Sequence, residues 1–190
     1  MPGFVVDGSD SFISKLAGGG ARASLFNANL IFKGNLAENS KTGVMDNKTF
    51  GFMCKGVQIP SSAVGIVSVN YMGRAVKLPG NRSFEDMTTT ILNDEGYALR
   101  NKIENWMNKI NSHFGNVRAA SHTNKLTGYT ATLDIQTRGK AGGNTGLWKL
   151  YNVWPTSLDQ IDVNWEPNDA IMEYSVTWAY DYWRMDKVSK

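Results

Sequence analysis

The chain has 190 residues, 42% of them hydrophobic, with 20 Lys plus Arg against 17 Asp plus Glu and a formal net charge of +3. That length suits one domain or at most two, burying about 70% of the unfolded surface, and so mild a charge does not by itself imply nucleic acid. The single cysteine, Cys54, excludes an intrachain disulfide and favours a reducing compartment, while no run approaches the roughly 18 apolar residues of a transmembrane helix.

The opening MPGFVVDGSD lacks a basic segment followed by an apolar run, so no signal peptide is expected. Residues 1–24, rich in Gly, Ser and Ala, read as a flexible arm, and LFNANLIF (25–32) reads as a first strand. The polar stretch 33–49 is long for a hairpin connection, and such loops in compact domains are mostly functional or disordered. FGFMCKGVQIP (50–60) reads as a second strand stopped by Pro60. VGIVSVNYMGRAVKLPG follows, with a turn expected at Pro79–Gly80. RSFEDMTTTIL reads as a further strand, with Met87, Thr89 and Ile91 on one face and Thr88, Thr90 and Leu92 on the other.

Residues 94–111 are predicted to be helical. Asn93 or Asp94 supplies a cap, and Leu99, Ile103, Trp106, Met107 and Ile110 recur along one face, opposite Arg100, Lys102, Asn105 and Lys109. Asn111 to Thr127 is polar and reads as loop. GYTATLDIQTR then alternates, with Tyr129, Ala131, Leu133 and Ile135 on one side. After the glycine-rich turn GKAGGNTG comes LWKLYNVWP, apolar on both faces. QIDVNWEP alternates again through Ile161, Val163 and Trp165, EPND reads as a turn, and the last strand sets Met172, Tyr174, Val176, Trp178, Tyr180 and Tyr182 on one face. Together these predict a mainly β domain: an antiparallel sandwich or barrel of about eight strands with one amphipathic helix packed outside.

The sequence offers little for catalysis. His113 and His122 match no metal-ligand spacing. Cys54 sits inside a strand pattern and reads as a packing residue. There is no G-x-S-x-G turn, and GKAGGNTG has the wrong order for a phosphate loop. The acids Glu85, Asp86, Asp94 and Glu95 read as solvated rather than as a facing glycosidase pair. No catalytic, cofactor-binding or metal site is expected.

Charge and aromatics are unevenly distributed. Residues 95–149 hold eight basic and three acidic side chains, whereas 155–186 hold seven acidic and one basic. Five of the six tryptophans, Trp148 to Trp183, fall around this acidic end. Acid beside aromatics opposes phosphate, which argues against base stacking. Trp165 and Trp178 are expected inside. Trp183, five residues from Trp178, falls on the opposite face of an ideal strand, and surplus apolar faces suggest contact with another chain. A carbohydrate-binding β-sandwich is the alternative from a different functional class.

Four ordered blocks carry a family resemblance: CKGVQIP; GRAVKLPGNRSFEDMTTTILNDEGYALRNKIENW; VWPTSLDQIDVNW, with its expected "WP" turn; and the alternating strand that closes on DYW. Over residues 25–110 and 145–184 the chain resembles the tail tube proteins of contractile-tailed bacteriophages, whose fold type VI secretion tube proteins share. The resemblance implies a non-enzymatic virion subunit, assembled in the host cytoplasm without cofactor or membrane. It forms hexameric rings that stack into a hollow tube inside a contractile sheath, and DNA passes through it. The implied partners are further copies of itself, the sheath protein, and baseplate and tail-terminator proteins. A baseplate tube-initiator or tail-completion protein of the same fold is the alternative within that machine.

On this reading residues 25–184 form the tube domain and 185–190 a basic tail. Gly34, Asn39, Lys41, Asp46 and Lys48 in the polar loop, with Trp183, are the candidate subunit-interface residues. Glu173 and Asp181 are the candidate lumen-facing acids, where negative charge would keep DNA passage free.

Overall fold

The computed structural model describes residues 20–32, 47–117, 126–165 and 170–186. Among them run nine strands and two α-helices: β1 (Phe26–Phe32), α1 (Asn47–Met53), β2 (Cys54–Val57), β3 (Ala63–Tyr71), β4 (Arg74–Ser83), β5 (Met87–Leu92), α2 (Ala98–Ile110), β6 (Ala131–Arg138), β7 (Asn144–Leu158), β8 (Glu173–Ala179) and β9 (Tyr182–Asp186). All pairings are antiparallel. The mainly β class with an amphipathic helix is borne out.

Strand β7 organises the domain. Along one flank its first part pairs with β6, the last matched pair being Ala131–Val153. Along the other, Leu147–Tyr151 pair with β9, and Trp154–Leu158 pair with β8. The seven strands join into one continuous ladder, β1-β6-β7-β8-β5-β2 with β9 beside the first half of β7, which β7 divides into two sheets, β1-β6-β7-β9 and β7-β8-β5-β2. The strand bends between its halves at Asn152, which has φ 58. Asparagine tolerates that left-handed backbone better than most residues. The Asn152 side-chain amide also donates to the Asp181 carboxylate at 2.6 Å, and the Asp181 backbone N–H donates to the Tyr151 carbonyl at 3.1 Å.

That bend explains two corrections. The expected "WP" turn does not exist: Trp154 and Pro155 lie within β7. Proline is tolerated there because β6 has already left that flank. The final strand is not continuous either. It breaks at Tyr180–Asp181, and Tyr182 begins β9, which crosses to the other half of β7.

Three further expectations are corrected. Phe50 to Met53 are helical rather than the start of a strand, with Phe50 fully buried and Phe52 82% exposed. Helix α1 lies against β1 and leads straight into β2, so it spans the seam between the two end strands. Its Gly51 permits this, because a Cβ there would stand 2.9 Å from the Ala28 carbonyl. Pro79–Gly80 is not a turn but lies inside β4, and the chain reverses at Met72–Gly73 instead. Residues 159–164 form no strand, and Trp165 is fully exposed rather than inside, since no strand among the described residues pairs this segment.

The core combines the inward faces of both sheets with α2, whose Leu99, Ile103 and Trp106 are buried. The Asp94 carboxylate accepts from the backbone N–H groups of Ala98 and Leu99 at 3.0 and 3.4 Å, satisfying two donors of the first turn. Those bonds, the Ala98 one foremost, hold the Asp94 pKa below its ordinary value. Trp178, fully buried, stands 5.8 Å from Trp106 and 6.0 Å from Phe50, centroid to centroid. Its indole N–H donates to Thr89 Oγ1 at 2.8 Å, so the polar edge of the ring is satisfied within the core.

Candidate self-assembly surface

Strands β3 and β4 form a two-stranded sheet of their own. Neither makes more than marginal contact with any other element among the described residues. The register opposes Val67 to Leu78, Val69 to Val76 and Tyr71 to Arg74. Alternation then gives the hairpin one face of Val67, Val69, Tyr71, Val76 and Leu78, edged by Arg74. The opposite face carries Ser68, Asn70, Ala75 and Lys77 beyond Ile66 and Pro79 near the base. The five apolar residues are 47–66% exposed. An amphipathic hairpin normally lays its apolar face on a core, whereas this one projects into solvent.

Local chemistry explains its shape. At the tip, Met72 and Gly73 both have positive φ, 47 and 79. That combination matches the right-handed twist of two-residue hairpins. Near the base the register shifts between Val64 and Ile66. There a Cβ on Gly80 would stand 3.2 Å from Gly65 backbone atoms and from a Val67 methyl, so any larger residue would push its neighbours apart by a few tenths of an ångström. The Trp183 indole N–H donates to the Ser61 carbonyl at 2.9 Å, and its ring packs beside the core. Trp183 thus pins the stem of the hairpin.

The other sequence-predicted residues are scattered. Gly34, Asn39, Lys41 and Asp46 lie outside the described residues, as do most of the predicted arm, the EPND turn and residues 187–190. Lys48 is exposed on α1. Glu173 forms an ion pair with Lys55, and Asp181 accepts from Asn152, so both acids have local structural roles. Trp183 alone among the described candidates touches the hairpin stem.

No constellation for chemistry appears among the described residues. None of their His, Cys, Asp and Glu side chains converge as a metal cluster. Burial pushes the Cys54 thiol up to about 11, which keeps it protonated and unreactive at neutral pH. His113 is exposed, 4.0 Å from Glu104. Sequence reasoning missed the hairpin as a surface because its β-branched run reads the same whether a core or another molecule covers it.

A β domain that holds out an exposed apolar hairpin presents a surface suited to contact with another chain. The chain is a member of the phage tail tube protein family, whose model matches residues 21–186. It is 29% identical to tail tube protein gp19 of Enterobacteria phage T4 over 142 residues, covering 72% of this chain and 82% of that protein. It is 25% identical to the tail tube protein of Serratia phage KSP90 over 121 residues, covering 64% and 66%. The fold matches a chain from the PVC sheath-tube complex of an extracellular contractile injection system in its extended state. The TM-score is 0.62 at 17% identity, over 92% of this chain and 97% of that one. A chain of the anti-feeding prophage baseplate matches with the same TM-score at 13% identity, over 90% and 98%. Both phage relatives are tail tube proteins.

Proposed function

We propose that this chain builds the wall of a hollow tail tube, stacking as hexameric rings that conduct DNA inside a contractile sheath, and that it carries no enzymatic activity. The observation that supports this reading most is the unsupported β3–β4 hairpin. An isolated two-stranded hairpin is at best marginally stable in water, and an apolar face of this size needs cover. A copy of the same chain supplies it in a head-to-tail contact, which closes into a ring when the rotation allows. The family and the fold neighbour from a sheath-tube complex favour the sheath, baseplate and terminator as further partners. On this reading assembly takes place in the host cytoplasm, the polar loop from Gly34 to Lys48 bridges rings, and Asp181 faces the lumen.

Electron microscopy of the purified full chain tests the reading. Uniform hollow tubes or six-fold rings are expected. A monodisperse monomer across the accessible concentration range would overturn it.

A further inference from the structure

We propose that the tip of the β3–β4 hairpin of one copy seats in the cleft between residues 160–164 and 170–173 of a neighbouring copy, Met72 entering the cleft and Arg74 meeting Asp162. This rests on the self-assembly reading above and names the receptor for its hairpin.

The cleft has a volume of about 370 Å³. Ile161, Val163, Ile171 and Met172 supply its apolar lining, and Asp162 and Glu173 its acids. Arg100 holds one end of this region in place, donating to the Asp159 carbonyl at 2.9 Å and lying over the Tyr174 ring. Val163 and Ile171 are 78% and 68% exposed, so the lining is uncovered in the single chain. Glu173 is already joined to Lys55. Asp162 is exposed and has no ionic or hydrogen-bonding partner among the described residues.

The hairpin is the complement. From Ala63 to Ser83 it carries Arg74, Lys77 and Arg82 and no acid. Its cations and the seven acids of residues 155–186 are opposite in sign, which favours encounter and fixes register between copies. Nine residues of β3 reach roughly 30 Å at about 3.3 Å each, so the tip stands clear of its own domain. The tip presents Met72, 87% exposed. Asparagine or glycine would adopt its positive φ at less cost. A flexible thioether, however, fills irregular apolar gaps well, and a cleft lined by Ile161, Val163, Ile171 and Met172 offers one. Hairpin and cleft are different surfaces of the same chain, so the contact is heterologous and repeats from copy to copy. Duplex DNA is the other anion a basic hairpin could meet, but it would leave the apolar cleft and the apolar hairpin face uncovered.

Two measurements test the proposal on the full chain. Cys54 is buried and unreactive, so introduced cysteines report without interference. Met72→Cys with Val163→Cys, assembled and mildly oxidised, is expected to give a ladder of disulfide-linked oligomers that neither single variant gives. Arg74→Glu and Asp162→Arg are each expected to raise the critical concentration for assembly roughly tenfold or more, because like charges then face each other. Combining them is expected to restore assembly toward the original level. Tubes that form without the ladder, and with Arg74→Glu assembling normally, overturn the cleft as receptor and leave the tube reading intact. An unmodified chain that never forms rings or tubes overturns both. An Arg74→Glu chain that assembles normally but loses retention of duplex DNA assigns the hairpin to DNA instead.

Discussion

Removing the hairpin separates folding from assembly. Ala63 and Ser83 are register partners at its base. Replacing residues 64–82 by Asn-Gly therefore closes the chain with a two-residue turn suited to antiparallel strands. The loss to the domain itself should be small, because among the described residues β3 and β4 make only marginal contact with other elements. The loss to assembly should be large. Val67, Val69, Tyr71, Val76 and Leu78 remain about half exposed in the single chain. Full burial of such side chains is worth about 1.5–3 kcal/mol each, so covering the remaining half of five supplies roughly 4–7 kcal/mol per contact. That corresponds to a factor of about 10³ to 10⁵ in the association constant, before the costs of ordering. The expected outcome is a cooperative thermal transition within a few degrees of the unmodified chain, with sedimentation velocity showing monomer where the unmodified chain forms tubes. Tubes of the same diameter at the same concentration would refute the assignment. Loss of cooperative folding would refute the independence of the hairpin.

Two further predictions concern the domain itself. Thr89→Val keeps the shape of the side chain but leaves the buried Trp178 indole N–H without its acceptor. A loss of about 1–3 kcal/mol is expected, visible as a fall in Tm of roughly 3–10 °C, and Thr89→Ser should lose less. Asp94→Ala removes the acceptor for Ala98 and Leu99 and should cost about 1 kcal/mol at neutral pH. The folded-state pKa of Asp94 lies below its ordinary value of 3.8, so the carboxylate stabilises the fold above that value. Denaturation curves of the two chains should therefore stand furthest apart above about pH 4 and converge as pH falls through the lowered pKa.

Much of the fold is legible in the sequence wherever one face of an element meets one core. The alternation of Tyr174, Val176 and Trp178 and the helical spacing of Leu99, Ile103 and Trp106 each mark their buried side correctly. Ambiguity begins where local pattern has two solutions. FGFM fits a strand by composition, yet the helix buries Phe50 and turns Phe52 out before Cys54 opens β2. Pro155 reads as a stop because nothing local reveals that β6 has left that flank of β7. Ile161, Val163 and Trp165 alternate like a strand, but pairing is a long-range property and no partner strand lies alongside among the described residues. The assembly surface is harder still. Apolar side chains on β3 and β4 are written in the same letters as a core, and only their placement away from the other described elements reveals that they stand exposed in the single chain.

The shared strand β7 has a mechanical consequence. Sheets held face to face by side chains alone can slide, as packed elements do in shear motions. Here the corner between the sheets is a single covalent backbone, bent at Asn152 and bonded to β6, β8 and β9. Sliding one sheet over the other would have to stretch that backbone or break ladders on both its flanks. The subunit therefore resists deformation as a stiff angle bracket rather than as two stacked plates, a property suited to a tail tube protein.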